Sequence, residues 1–368
     1  MIDRRFAKYF DWGLLGLTFM LAFLGLLTLY SAVTSSSAAP QKILYVKQLI
    51  WYGIGLGVIV VSLFFNYKLL DRWAPVIYIG SISLLVYVLV FGKYVAGARR
   101  WIVFGPFSIQ PSELAKIAVI IILARYYSRL ANTGGLNLRE LLTPFVLAVI
   151  PFILTVKQPD LGTAMIILLI AGSMTVFVKI ERRSLLWIVA SCATAFPLVW
   201  FFLKEYQKRR ILTFLNPDRD PLGAGYHIIQ SKIAIGSGMI SGKGFLQGTQ
   251  NALAFLPEQH TDFIFSVLAE EWGFLGSAFV VSLYMLLVIW GLSVAVRSKE
   301  PFGTILAVGL TSIIFWQAFI NIAMVVALLP VVGVTLPLIS YGGSSMLTTM
   351  LAIGILLNIS MRRFLFKD

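Results

Sequence analysis

The chain has 368 residues, of which 59% are hydrophobic and only 12% are charged. Soluble domains are on average about half apolar and a quarter charged, so this composition excludes an ordinary water-soluble protein. The single cysteine, Cys192, excludes a disulfide framework and a cysteine metal site.

Apolar stretches that approach the length of a membrane span recur along the whole chain. A transmembrane helix needs roughly 20 predominantly apolar residues. The candidate stretches are residues 12–34, 47–66, 74–92, 112–130, 140–156, 161–179, 184–203, 266–296, 303–328 and 341–361. The fifth and sixth are short and meet at residues 157–160, where one broken helix is the alternative. The sequence therefore predicts an all-α polytopic membrane protein of about ten transmembrane helices, the first retained rather than cleaved as a signal peptide.

The net charge of +14 is explained in part by the side of the membrane on which basic residues fall. Lysine and arginine are enriched in cytoplasmic connections. The residues that follow this pattern are Arg4, Arg5, Lys8, Lys68, Arg72, Arg125, Arg129, Arg139, Lys179, Arg182, Arg183, Arg297, Lys299, Arg362, Arg363 and Lys367. Both termini are therefore predicted to be cytoplasmic. Since no aromatic–basic recognition module accompanies these residues, no nucleic-acid partner is expected.

One long connection, residues 204–265, is predicted to lie outside the cytoplasm within a single domain of residues 1–368. Residues 226–234 have the apolar spacing of a short interfacial helix. A glycine-rich run follows and includes Gly238-x-x-x-Gly242-Lys243-Gly244. This run is one residue short of a P-loop and lacks the Ser or Thr after the lysine, so it does not predict an ATPase. A backbone cradle for phosphate stays open.

A second group of basic residues falls on the outer side and is not explained by membrane orientation. These residues are Lys42, Lys47, Lys93, Arg99, Arg100, Lys157, Lys204, Lys208, Arg209, Arg210, Arg219, Lys232 and Lys243. Each one alone could extend to lipid phosphates. As a set they indicate an outward-facing site for an anionic ligand.

Two positions place polar side chains deeper in the membrane. Glu113 and Lys116 are three residues apart near the start of the fourth span, so they share a helix face and can pair. The pair could lock two helices together, or it could orient Lys116 toward a phosphate. Asp160 follows Pro159 at the break between spans; it could cap the sixth helix or form part of a polar cavity wall.

Asp262 precedes the eighth span on the outer side, close in sequence to Glu258 and His260. An exposed loop aspartate is usually only solvated. A cavity beside the apolar residues 263–265 would raise the pKa of Asp262 toward that of a general base. A divalent cation held by Glu258, His260 and Asp262 is an alternative, but a dedicated metal site is not expected because there is no second cluster of ligands. Residues 330–345, rich in Pro and Gly, predict non-helical backbone packed within protein.

Several sequence blocks resemble the signature blocks of the SEDS family (shape, elongation, division and sporulation), in order over nearly the whole chain. The blocks are Gly97-x-x-Arg100-Trp101, Gln110-Pro111-Ser112-Glu113-x-x-Lys116, Gln158-Pro159-Asp160-Leu161-Gly162-Thr163, residues 220–248, Pro257-x-x-His260-Thr261-Asp262-Phe263-Ile264-Phe265 and Ser340-Tyr341-Gly342-Gly343-Ser344. The stretch 220–238 resembles elongation members more than division or sporulation members.

The resemblance implies a peptidoglycan glycosyltransferase that polymerises lipid II, an undecaprenyl-pyrophosphate-linked disaccharide pentapeptide, at the outer face of the bacterial cytoplasmic membrane. It also implies a class B penicillin-binding protein as transpeptidase partner within the elongation machinery. Asp262 would be the catalytic carboxylate that takes a proton from the acceptor hydroxyl. The substrate-binding residues would be Arg100, Gln110, Glu113, Lys116, Lys157, Asp160, Lys232 and Lys243. No cofactor is certain, and Mg²⁺ or Mn²⁺ stays open.

Two other functions are compatible with a polar cavity and a lateral groove. A lipid II flippase would also need basic residues, but accessible from both faces, whereas the deep charges here are predicted to cluster on the outer side. A structural scaffold for the cell-wall machinery would not need Asp262.

Overall fold

The computed structural model describes residues 10–34, 42–95, 98–104, 107–130, 135–187, 205–219, 223–253 and 258–362, with isolated positions at 190–191, 194, 201 and 255. Cys192, Gly97, most of the predicted seventh span and the basic residues nearest the two termini lie outside the described residues. All nine candidate site residues lie within them.

Long helices dominate the described residues. They are α1 (Trp12–Thr34), α2 (Lys42–Phe64), α3 (Lys68–Phe91), α4 (Pro111–Leu130), α5 (Leu138–Lys157), α6 (Leu161–Phe177), α7 (Glu205–Leu215), α8 (Ala224–Ser237), α9 (Thr249–Ala252), α10 (Ile264–Arg297), α11 (Pro301–Val325) and α12 (Gly343–Arg362). Among the described residues, seven helices are long and apolar enough to cross a membrane: α1, α2, α3, α5, α10, α11 and α12. Helix α4 carries buried charges and α6 has only 17 residues. The prediction of a polytopic helical membrane protein is confirmed.

The fifth and sixth predicted spans are two helices and not one broken helix. Helix α5 ends at Lys157 and α6 begins at Leu161, with Asp160 as the N-cap residue whose side chain accepts a hydrogen bond from the Thr163 backbone N–H. A capping aspartate satisfies one of the N–H groups that the first helical turn leaves without a partner. The polar break at residues 158–160 is therefore part of the folded structure.

A small antiparallel sheet lies between α3 and α4, where the sequence analysis predicted no strand. Strands β1 (Lys93–Val95), β2 (Ala98–Phe104) and β3 (Phe107–Ile109) pair in the order β1-β2-β3. Arg100 lies on the central strand. The sheet matters for the site because it places this arginine beside the break between α5 and α6.

The core is formed by helices that bury most of their side chains. Helix α4 buries Ile120, Leu123 and Tyr127 completely, and α11 and α12 are buried over most of their surface. By contrast, α3 and α5 expose large apolar side chains such as Phe91 and Phe145. A helix that is hydrophobic all round is expected in the core of a membrane protein, and the exposed apolar faces suit lipid contact.

The long connection between the seventh and eighth predicted spans folds against α10. Helix α8 covers the predicted stretch 226–234, and the Ser231 hydroxyl lies 2.8 Å from the Ser266 hydroxyl on α10. A Cβ on Gly238 would lie 2.0 Å from the Ala269 carbonyl oxygen, and one on Gly242 would lie 2.1 Å from the Glu271 carbonyl oxygen. These glycines therefore allow the loop to approach the helix closely. From the sequence, the glycine-rich run is compatible with a backbone cradle for phosphate, but this packing role was not predicted.

Between α11 and α12 the chain is non-helical and largely buried, as the sequence predicted. Leu336, Leu338 and Ile339 are each at most 1% exposed. Side chains of two other helices supply donors to carbonyl groups of this segment. Tyr52 Oη donates to the Leu338 carbonyl at 2.5 Å, and Tyr284 Oη donates to that of Pro337.

Helix α1 packs against this segment through a glycine, which makes the packing testable. A Cβ on Gly25 would lie 2.6 Å from the Leu338 carbonyl oxygen, whereas one on Gly16 of the same helix would meet no atom within 4 Å. We expect Gly25→Ala to destabilise the protein by about 1–3 kcal/mol through overpacking. Gly16→Ala should leave stability unchanged or raise it. Thermal unfolding in detergent measures both, and equal melting temperatures would contradict the proposed close contact.

Candidate active site

A cavity of about 720 Å³ opens between the sheet, α4, α6, the turn before α10 and the segment that leads into α12. Five of the nine predicted site residues line it: Arg100, Gln110, Glu113, Asp160 and Asp262. Lys47 and Glu258 line it as well. Blocks that are far apart in sequence thus meet around a single space of the size that ligand sites usually have.

Arg100 is fixed by the backbone at the end of α5. Its Nε donates to the Gln158 carbonyl at 2.9 Å, and Nη2 donates to the Pro159 carbonyl. A guanidinium has five N–H donors in a rigid plane, so two of them suffice to orient the group. Arg100 thus brings a positive charge to the cavity in a defined position.

Asp160 has both of the roles that the sequence left open. Its Oδ1 accepts the capping bond from Thr163 at 3.3 Å, and its Oδ2 accepts hydrogen bonds from Gln110 Nε2 at 2.6 Å and Ser112 Oγ at 3.4 Å. The carboxylate joins the starts of α4 and α6 while it lines the cavity.

Glu113 and Lys116 form the predicted ion pair, with Lys116 Nζ 2.7 Å from Glu113 Oε1. The Lys116 side chain is 0% exposed and that of Glu113 is 8% exposed. A buried pair is strongly destabilised when one partner is removed, because the other charge is left without compensation. Glu113 reaches the cavity, whereas Lys116 lies behind it and is not part of the lining.

Asp262 lies in a turn directly before α10, and the residues that follow it are apolar and buried. Burial, and after it the negative charge of Glu258, raises the pKa of Asp262 to about 6. Asp160 adds to the rise, whereas Arg210 and Arg100 oppose it. The shift has the predicted direction and brings the carboxylate close to the range that suits a general base near neutral pH.

The neighbouring His260 and Glu258 do not complete a metal site with Asp262. His260 Nε2 is 3.9 Å from Glu258 Oε2, and burial lowers the pKa of His260 while Glu258 raises it. In the part of the chain that the structure describes, no group of three or more His, Cys, Asp or Glu residues is arranged to hold a metal ion. The three-residue cation site that the sequence left open is therefore not formed.

Three predicted substrate-binding lysines lie away from the cavity lining. Lys243 Nζ is 2.7 Å from Glu270 Oε1, Lys232 is exposed on α8, and Lys157 is the last residue of α5. They were grouped with the other cations by their predicted side of the membrane, which does not determine their distance from a cavity. A role for them in substrate binding stays a prediction.

The structure also reveals site residues that the sequence analysis did not single out. Asn321, on α11, donates hydrogen bonds from Nδ2 to the Asp262 carbonyl at 2.9 Å and to the Val334 carbonyl at 2.6 Å. Ser340 Oγ donates to the Thr261 carbonyl at 2.6 Å. The sequence signal that could have identified Asn321 is the presence of a polar amide within the otherwise apolar stretch 303–328.

Comparison with known proteins places the chain in a family. The model FTSW_RODA_SPOVE, described as "Cell cycle protein", matches residues 12–364. The chain belongs to this family. It is 45% identical over 353 residues to the peptidoglycan glycosyltransferase MrdB of Escherichia coli (strain K12), a match covering 94% of this chain and 93% of that protein. It is 34% identical to the peptidoglycan glycosyltransferase RodA of Treponema pallidum (strain Nichols), covering 96% and 98%.

Two solved structures share the fold. A chain of a peptidoglycan synthase complex, studied for the coordination of polymerization and crosslinking, superposes with a TM-score of 0.82 at 32% identity and covers 98% of this chain and 99% of that one. The crystal structure of the rod shape determining protein RodA of Thermus thermophilus gives a TM-score of 0.71 at 28% identity, covering 96% and 98%. The resemblance inferred from the sequence blocks is confirmed.

The closeness of Gly333 to Asp262 generates a prediction. Gly333 has a φ of +73°, and a Cβ there would lie 3.3 Å from Asp262 Oδ2. Gly333→Ala should strain the backbone and displace the carboxylate, lowering the activity of the enzyme by roughly tenfold or more. Gly135→Ala is the control, because Gly135 also has a positive φ but a Cβ there would lie 3.5 Å from Glu181, away from the cavity. Glycan synthesis by the two purified variants is compared, and equal rates would contradict the prediction.

Proposed function

We propose that the chain is a peptidoglycan glycosyltransferase of the elongation type, which polymerises lipid II into glycan strands at the outer face of the cytoplasmic membrane. The observation that carries the proposal is the cavity in which Asp262 and Arg100 meet, in a chain that belongs to the FtsW/RodA/SpoVE family. The names of the relatives MrdB and RodA support the same activity.

The reaction that fits this cavity is a displacement at the anomeric carbon of the donor sugar. Asp262 accepts the proton of the acceptor hydroxyl as its oxygen bonds to that carbon, and the bond to the lipid pyrophosphate breaks with its electron pair. The side-chain oxygens of Asp262 accept no hydrogen bond from the described part of the chain, so they are free to contact a substrate. General-base catalysis of this kind contributes roughly 10²–10⁴-fold.

Arg100 and Lys47 are the cations that line the cavity and suit the departing pyrophosphate. Electrostatic stabilisation of developing charge is usually the largest contribution to catalysis. The predicted contact of Lys116 with the phosphate would require the ion pair with Glu113 to rearrange, so we assign Lys116 to holding Glu113 at the cavity wall. A Mg²⁺ or Mn²⁺ ion bound with the pyrophosphate would take most of its ligands from phosphate oxygens and water, since the described residues form no cluster of three protein ligands, and it would supply further charge neutralisation.

The proposed orientation places the cavity on the periplasmic side and both termini in the cytoplasm. Basic residues at the other ends of the helices support this orientation. Lys68 is paired with Glu300, and Arg125 donates to the Asp71 carbonyl. These residues lie at the ends of helices opposite to the sheet that carries Arg100, as expected if lysine and arginine mark the cytoplasmic face.

A class B penicillin-binding protein is the proposed partner, together with other components of the elongation machinery. The similarity to a chain of a complex that coordinates polymerization with crosslinking supports this assignment. Such a partner would link the strands that this chain makes.

The role of Asp262 is tested by Asp262→Asn in the purified chain with its transpeptidase partner. The change removes the base but keeps the shape of the side chain, so polymerisation of lipid II should fall by roughly 10²–10⁴-fold with the melting temperature retained. Asp218→Asn is the control, because Asp218 is exposed in the same long connection.

Retained polymerisation by Asp262→Asn would remove this residue from the role of base. If the parent made no polymer yet moved lipid II across vesicle membranes, and Asp262→Asn did so equally well, the flippase alternative would be favoured.

The pH dependence of the reaction follows from the raised pKa of Asp262, which is about 6. The carboxyl must be deprotonated to act as a base. The rate should therefore be high above about pH 7 and fall about tenfold per pH unit below 6. The profile of kcat/KM against pH measures this, because it reports the ionisation of the free enzyme, and a value that stays constant down to pH 5 would contradict the assignment.

A further inference from the structure

The side-chain amide of Asn321 lies inside α11, an otherwise apolar helix, and is completely buried. Both of its hydrogen bonds go to main-chain carbonyls, of Asp262 at 2.9 Å and of Val334 at 2.6 Å. Only the NH₂ of an amide can donate to a carbonyl, so these two bonds fix the orientation of the side chain. The amide therefore links α11 to two chain segments that lie outside this helix.

The two segments that Asn321 joins are both non-helical and both border the cavity. One is the turn that carries Asp262, and the other is the segment that carries Gly333 and Val334. Carbonyl oxygens repel each other when no donor lies between them, so the amide is needed to bring the two carbonyls close. The same approach places Gly333 next to the Asp262 carboxylate.

Burying this amide costs free energy that burying an apolar side chain at the same position would not cost. Asn321 Oδ1 has no hydrogen-bond partner in the described part of the chain. A buried polar atom without a partner costs about 1–3 kcal/mol, and an apolar side chain would fill the same volume without this penalty. We therefore attribute the presence of the amide to the two main-chain carbonyls that it holds in place.

We propose that Asn321 is a positioning residue, which sets the place of the Asp262 carboxylate in the cavity by holding the Asp262 carbonyl against the Val334 carbonyl. Asn321 is not part of the cavity lining, so it acts through the main chain and not by contact with the substrate. The inference rests on the proposed role of Asp262 as the base.

The test is Asn321→Leu, which keeps the volume of the side chain and removes both donors. A displacement of about 1 Å at a reacting group can reduce the rate on the order of 100-fold. We expect kcat to fall by roughly 10- to 100-fold with little change in KM for lipid II. The acid side of the pH profile should move by about one unit toward lower pH, because water reaches a carboxylate that is held less tightly.

Asn358→Leu is the matched control. Asn358 is a buried asparagine on α12, whose Nδ2 donates to main-chain carbonyls of Ser62 and Phe65 near the end of α2, outside the cavity lining. This variant should lower the melting temperature as Asn321→Leu does, but it should leave kcat and the pH profile unchanged.

A kcat and a pH midpoint for Asn321→Leu equal to those of the parent would overturn the inference. Should that variant not fold, Asn321→Ala removes both donors in a smaller side chain, and parental values for it would overturn the inference equally. Asp262→Asn separates the two proposals. Full activity of that variant would contradict the proposed function, whereas an inactive Asp262→Asn with an unchanged Asn321→Leu would contradict only the positioning role.

Discussion

Non-helical backbone inside a membrane protein must find hydrogen-bond partners within the protein, and this requirement organises the structure around the cavity. The hydrocarbon offers no water to satisfy free carbonyl groups, so side chains have to do so. At the break between α5 and α6 the donor is Arg100. In the segment before α12 the donors include Tyr52, Tyr284 and Asn321. The residues that satisfy irregular backbone are thus the residues that shape and surround the site.

The same requirement explains why substrate contacts and stability are difficult to separate here. Arg100 satisfies two carbonyl groups and also brings positive charge to the cavity, and Asp160 caps α6 while it forms part of the wall. Replacing either residue would remove a structural bond together with a charge. Asp262 differs, because its main chain is held by Asn321 while its carboxylate is left free. An isosteric substitution of Asp262 therefore tests the chemical role of its carboxylate without removing a hydrogen bond that stabilises the fold.

The helices of span length could be predicted from the sequence because length and hydropathy are local properties, and their observed ends lie six residues or fewer from the ends of the predicted stretches. The short helices α7 and α9 of the long connection were not predicted. The sheet around Arg100 was missed because its strands have only three to seven residues and no span-length signal. Glu113, Lys116, Asp160 and Asp262 were singled out by their positions in the spans and connections, whereas their roles and the inclusion of Gln110 came from the family resemblance. Lys232 and Lys243 lie in the block 220–248 and on the predicted outer side, but neither property determines their distance from the cavity, and Asn321 was hidden within an apolar stretch.

Among the described residues that line the cavity, carboxylates outnumber cations, and the contacts of Glu113, Asp160 and Asp262 divide their roles. Glu113 has the charge of Lys116 beside it, and Asp160 accepts three hydrogen bonds from its neighbours. Both are therefore already committed to partners in the protein. Asp262 combines access to the cavity with a pKa raised to about 6, mainly by burial. A general base needs a pKa low enough for it to be deprotonated near neutral pH and high enough for it to accept a proton from a hydroxyl group. Burial beside α10 raises the pKa of Asp262 toward that range.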